Sequence, residues 1–196
     1  YATGYAGKWH LDGPGKPEFT PQRKFGFDDN RYMFNRGHYK ELFEDENGLR
    51  AESALTKGKS ADKVEGDNTK NFTTDFLADR TIEFIRANKG KPFCYVVSIP
   101  DPHGPNAVRA PYDTMFLDLP FQQPKSALSA GENLPSYAAT LDGRFDKTQM
   151  ALYFGMVKCI DDNVGRIIAA LRETDELDNT FVVFTSDHGD LCGEHG

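Results

Sequence analysis

No apolar run in the chain approaches the ~20 residues that a bilayer-spanning helix needs, and no signal peptide is visible. Cysteine is scarce. The three present, Cys94, Cys159 and Cys192, form no CxxC or zinc-finger spacing, which excludes a zinc-ribbon framework. They are read as buried or partly buried free thiols. Basic residues are outnumbered, 23 Lys and Arg against 30 Asp and Glu, for a formal net charge of −7. That balance disfavours nucleic acid, whose affinity rests on neutralising phosphates. It also argues against a long polyanion lying across the surface. A small anion is still admissible, because a few local cations and a metal can act against net charge. Internal repeats and low-complexity tracts are absent.

The 196 residues suit one domain or a large piece of one, with 38% hydrophobic and 27% charged residues as in an ordinary globular protein. Fifteen Phe argue against disorder. The chain starts at Tyr1 inside one glycine-rich motif and stops at Gly196 inside another. We therefore expect residues 1–196 to be part of a single domain truncated at both ends.

Residues 1–71 read as irregular, rich in Gly, Pro, Asp and Asn. PGKPEFTPQ (14–22) and AESALTKGKSADKVEGDN (51–68) read as loops, and KFGFDDNRYMF (24–34) as a region holding one short strand. TTDFLADRTIEFIRANK (73–89) places Phe76, Ala78, Ile82 and Ile85 on one helical face, with Gly90 as a stop. PFCYVVSIP (92–100) then has the β-branched and aromatic content of a buried strand. Residues 106–145 read as a layer wrapped over the domain. The clearest helix is 147–173, with Tyr153, Met156, Val157, Ile160, Val164, Ile167, Ile168 and Leu171 at a period near 3.6. Asp146 and Gln149 resemble a capping box at its start. TFVVFTS (180–186) is expected as a second buried strand. Helices alternating with apolar strands predict an α/β fold, a mainly parallel sheet flanked by helices, incomplete because the chain is a piece of its domain. Such sheets carry their sites beyond the carboxyl ends of the strands. PDPHGP (100–105) and SDHGD (186–190) both fall there.

Three short stretches carry residues with chemistry. Asp187 and His188 pair a carboxylate with an imidazole after a predicted strand, a metal-ligand combination or an ordinary turn cap. Oxygen-rich surroundings would favour Ca²⁺ or Mg²⁺. His103 sits on the other strand-end loop, where it is either a site residue or an ordinary surface histidine. Lys8 and His10 alternate across the only tryptophan, Trp9. On extended backbone both point the same way, as an anion-holding pair or a solvated edge. His38 in RGHYK is read as surface and His195 in GEHG as structural.

Read together and in order, GYAGKWHLDG, PDPHGP, YFGMVKCIDDNVGRIIAAL and FTSDHGDLCGEHG resemble the sulfatase family of the alkaline phosphatase superfamily. The resemblance runs from residue 4 to residue 196, with about 35–70 and 106–145 falling where the family varies. It implies an alkaline phosphatase-like fold and a sulfuric ester hydrolase. The nucleophile it implies is a formylglycine made from the cysteine or serine of a C/S-x-P-x-R motif. A divalent cation, usually calcium, polarises the sulfate. Lys8 then matches the lysine that contacts sulfate as a compact point charge. His10 matches the histidine beside the formylglycine hydroxyl, a proton acceptor. His103 matches the sulfate-contacting histidine placed to protonate the leaving alcohol. Asp187 and His188 match the second pair of metal ligands.

The sequence departs from that pattern in three ways. It contains no C/S-x-P-x-R motif, no acidic pair on its first strand, and no second lysine following GEHG. We therefore expect the formylglycine to lie outside these residues and the piece alone to be inactive. The implied partner is a sulfated small molecule or carbohydrate, without nucleic acid or an evident membrane contact, in a secreted or periplasmic setting. Two alternatives stand beside this reading: a phosphonate or phosphate ester hydrolase of the same superfamily, and a non-catalytic relative that keeps the anion pocket.

Overall fold

A computed structural model describes residues 1–11, 19–51, 64, 68–128 and 145–194. Its centre is a parallel three-stranded sheet in the order β2–β1–β5, built from Ala2–Lys8 (β1), Asp29–Phe34 (β2) and Phe93–Ser98 (β5). Leu42–Asp45 (β3) and Gly48–Ala51 (β4) form an antiparallel hairpin, and Thr73–Ala87 (α1) and Lys147–Glu173 (α2) supply the helices. The mainly parallel α/β architecture is the one expected from sequence. Its middle strand is not.

β1 lies in a stretch read as irregular because Gly4 and Gly7 interrupt its β-forming residues. The sheet explains both glycines. A Cβ on Gly4 would fall 2.6 Å from the Tyr95 ring, and one on Gly7 would fall 1.9 Å from the Ser98 carbonyl oxygen. Gly7 also has φ +100, a conformation that L side chains rarely adopt. Glycine here marks close approach between β1 and β5 rather than a loop. β1 pairs with β5 from Ala2↔Phe93 through Gly7↔Ser98, and with β2 from Gly4↔Asp29 through Lys8↔Phe34.

α1 covers the sheet. Phe76 meets Tyr32 edge-on at 5.8 Å between ring centres, and Phe84 packs on Tyr95 at 4.4 Å. Ala6, Tyr32, Phe34, Leu42, Leu49, Phe76 and Leu77 form one buried cluster between sheet, hairpin and helix. α2 packs against α1 and joins a second cluster of Phe72, Val108, Tyr112, Met156 and Cys159. The expected Asp146 cap is present, accepting from Thr148 N at 2.8 Å and Gln149 N at 3.1 Å. The buried stripe of α2 is rotated from the expected one: Ala151, Gly155, Met156, Cys159, Asn163, Ala170 and Leu171 are inside, and Val157 is exposed. Gly155 is small because a Cβ there would fall 2.4 Å from the Tyr112 carbonyl oxygen, and Asn163 is polar because α1 presents a carboxylate to it. Asp75 of α1 receives the Arg109 guanidinium in a fork at 2.6 and 2.8 Å and the Asn163 amide at 3.1 Å.

Other expectations are corrected. β5 is a half-buried strand, with Cys94 and Val96 exposed, so Cys94 is an exposed thiol. The run 180–186 pairs with no strand among the described residues, and Phe181 and Phe184 are 93% and 74% exposed. Its apolar content was read as burial, but no described element covers it. Most of the loop 51–68, residues 12–18 and 129–144, and His195 lie outside the described residues. No helix among the described residues is long and apolar enough to cross a membrane.

Candidate active site

Parallel strands deliver their carboxyl ends to one edge of a sheet, and here three of them deliver cations. β1 ends at Lys8, β2 leads into Arg36 and His38, and β5 leads into the loop bearing His103. The sheet thus joins Lys8 and His103, singled out from sequence, to His38, which was read as surface. That reading fails on distance: the Lys8 ammonium lies 2.6 Å from His38 Nε2, and the His38 ring stacks on His103 at 3.5 Å and 10°. His38 is hard to place from sequence because the strand before it is short and its loop reaches the sheet edge only in the fold. RGH at a strand's carboxyl end is the signal that would have found it.

His10 joins the cluster by a different route from the one expected. β1 stops at Lys8, and His10 has φ +57, so strict alternation across Trp9 does not hold. The segment instead stays hydrogen-bonded to the continuation of β2, Trp9 N to Phe34 O and His10 N to Asn35 O, both at 2.8 Å. Trp9 is an anchor, wedged among Tyr5, Phe25 and Phe27 at 4.8–6.2 Å between ring centres. The Tyr5 hydroxyl donates to the Lys8 carbonyl at 2.7 Å and ties off the strand end.

The His103 loop is pinned from below. Buried Asp101 accepts from the Lys40 ammonium at 2.5 Å and from the Thr74 hydroxyl at 3.0 Å. Lys40 also donates to the His103 carbonyl at 3.2 Å. Residues 36–40 therefore grip the loop twice, through the Lys40–Asp101 pair and the His38–His103 stack. His103 Nδ1 lies 2.9 Å from the Gly104 carbonyl, which can only accept, so Nδ1 carries a proton and Nε2 is the nitrogen left for chemistry.

The electrostatics follow from crowding of like charge. Burial, opposed by Asp187 and reinforced by Arg36, lowers the Lys8 ammonium below its usual range. Lys8 does the same to His10, with burial, Arg36 and His103 adding to it. His38 is driven down to about 4, first by burial and then by Lys8, His103, Lys40 and His10. At neutral pH its imidazole is uncharged and can accept from Lys8. Arg36 Nε is buried without a hydrogen-bond partner among the described residues. Such a surplus of positive charge, facing one edge, suits an anion.

Asp187 and His188 form a separate arm. Their side chains are 89% and 75% exposed, and His188 Nε2 lies 3.6 Å from Asp187 Oδ2. Asp187 accepts from the His188 backbone N–H at 2.9 Å, the main cause of its lowered carboxyl pKa. His188 Nδ1 donates to the Gly189 carbonyl at 2.7 Å, which leaves Nε2 with a free lone pair when neutral. A carbonyl orienting an imidazole in this way is what a metal ligand requires. The donor chemistry therefore fits a cation, but these two side chains fill only part of a shell. Among the described residues, no three His, Cys, Asp or Glu side chains gather around one point.

The profile of the family named Sulfatase matches residues 1–196. The chain belongs to the sulfatase family. It is 31% identical to the uncharacterized sulfatase YidJ of Escherichia coli K12 over 217 aligned residues, covering 100% of this chain and 40% of that protein. It is 30% identical to the multifunctional alkaline phosphatase superfamily protein PehA of Trinickia caryophylli, over 61% of this chain and 28% of the relative. Among solved structures, one assigned as the sulfatase YidJ of Bacteroides fragilis superposes with a TM-score of 0.71 at 27% identity, covering 100% of this chain and 42% of that one. This sulfatase chain thus spans well under half the length of the relatives it matches. The solved sulfatase shares the parallel sheet with flanking helices seen here.

Proposed function

We propose that the full-length gene product carrying this chain hydrolyses sulfate esters. The observation that carries this is the convergence of Lys8, His10, His38 and His103 at one sheet edge, 2.6 Å separating Lys8 from His38. Lys8 places a point charge against the sulfate oxygens as negative charge grows on them. His103, with Nδ1 held by Gly104, turns Nε2 to the departing alcohol and gives up a proton there from its doubly protonated ring. Exposed His10, disfavoured as a cation by Lys8, is the proton acceptor on the nucleophile's side. Asp187 and His188 hold part of a Ca²⁺ or Mg²⁺ shell, and that ion would polarise the sulfate and orient the nucleophile. The family's formylglycine, on a cysteine or serine outside these residues, would supply that nucleophile.

The substrate class is a single sulfate on a small molecule or a terminal sugar, consistent with the net charge of −7. A secreted or periplasmic setting is part of the same proposal. A second reading, phosphonate or phosphate ester hydrolysis, is favoured by the likeness to PehA. Parallel kinetics on an aryl sulfate and an aryl phosphodiester decide between them. The sulfatase reading expects the higher kcat/KM on the sulfate; a clear preference for the phosphodiester would replace it.

A further inference from the structure

The resemblance accounts for Lys8, His10 and His103 and gives no role to His38, which touches two of them. We propose that His38 is a positioning residue of this site, holding the Lys8 ammonium through its Nε2 at 2.6 Å and the His103 ring through a 3.5 Å stack. The inference rests on the sulfate-ester reading for its kinetic consequence, though not for its geometry.

Lysine is the side chain that most needs such a partner. Its ammonium rides on four methylenes and loses rotamer freedom when fixed. An acidic partner would fix it but would also cancel the charge that sulfate requires. A neutral imidazole acceptor fixes the ammonium and leaves its charge intact. An ammonium only donates, so His38 must turn a lone pair to it from Nε2 and carry its proton on Nδ1. The lowered pKa of His38 is consistent with that neutral form.

The stack places a second demand on the same neutrality. Two charged imidazoles 3.5 Å apart would repel, so an uncharged His38 leaves His103 as the ring able to take up and release a proton. His38 is itself restrained by its segment. Two residues on, Lys40 is locked to Asp101 at 2.5 Å, and Thr73 at the start of α1 bonds the Tyr39 carbonyl at 2.6 Å and the Lys40 carbonyl at 2.9 Å. Gly37, with φ +110, lets the chain turn between Arg36 and His38.

Three substitutions separate the two jobs in the full-length enzyme. His38→Ala removes both contacts and should lower kcat/KM on an aryl sulfate by about 10- to 100-fold, the usual cost of losing a residue that orients a reacting group. His38→Gln keeps an acceptor for Lys8, and His38→Phe keeps a ring on His103. Each should recover part of the loss. Gln should restore kcat on esters of good and poor leaving groups alike, through Lys8 at the sulfate, and Phe should restore it only for poor leaving groups, which need the proton from His103. If all three stay within twofold of wild type while Lys8→Ala abolishes turnover, the positioning role is wrong and the sulfatase reading stands. Histidine side-chain ¹H–¹⁵N spectra at pH 7 decide the matter even if no sulfate ester is hydrolysed. The inference expects His38 with its proton on Nδ1 alone, and a shift in that signal on Lys8→Ala. An Nε2-protonated or doubly protonated His38 overturns it.

Discussion

The two halves of the candidate site are built differently. The basic wall of Lys8, His10, His38 and His103 grows from three adjacent strand ends, tied by long-range contacts such as Lys40–Asp101 at 2.5 Å. The arm of Asp187 and His188 is held by bonds to its own neighbours, and both side chains are exposed. Basic groups that cannot all be charged at once have to be fixed by the scaffold before an anion arrives. A carboxylate–imidazole pair gains its order from the cation it binds. The wall is preorganised, and on the proposed reading the arm would take its order from a bound cation.

That contrast can be broken most forcefully from underneath. Lys40→Met leaves Asp101 buried without its cation and should cost about 3–5 kcal/mol in a denaturant melt, the usual penalty for halving a buried ion pair. Activity on an aryl sulfate should fall with it, because the His103 loop loses its anchor. Unchanged stability would show that the wall is not built on this pair. Lys8→Ala removes a charge at the reacting oxygens and should cut kcat by about 10²- to 10³-fold while the melt stays put. Near-wild-type turnover would take Lys8 out of the site. On the arm, His188→Ala should raise the calcium concentration for half-activation by about tenfold, in line with the loss of an orienting or ligating group. The melt of the apoprotein should barely respond, since His188 is exposed. An unmoved calcium titration would remove the residue from the ligand set.

The smallest effect is in pH. His38 titrates at about 4 in the folded chain against 6.5 when unfolded, so only the unfolded chain takes up this proton between those values. Stability should be full above 6.5 and decline as pH falls towards 4. Lys8, His103, Lys40 and His10 all face the ring and oppose its charge. His38→Gln should flatten this part of the profile. An unaltered slope would assign it to other groups.

The regular parts of the fold were legible because periodicity and capping are local. α1 and α2 fall where the apolar spacing puts them, and Asp146 caps as its spacing implies. β1 was illegible for a physical reason: Gly4 and Gly7 are demanded by Tyr95 and Ser98, just over ninety residues away in the chain. His38 was hidden for a related one. Nothing near it in sequence shows that the ends of β1 and β5 lie beside it. The run 180–186 misled in the opposite direction, since apolar content signals what a segment would bury and not whether a described partner covers it. Lys8, His10 and His103 were legible through their wording in the family pattern, and Lys40–Asp101, which steadies them, through nothing local at all.

The claim at the centre is that four side chains form one anion pocket. Histidine side-chain ¹H–¹⁵N spectra of the full-length protein, titrated with inorganic sulfate, test it most directly. The expected result is that His10, His38 and His103 shift together with one dissociation constant, and that Lys8→Ala weakens all three in parallel. Independent constants, or no shift in His38 while the others move, would contradict a single pocket.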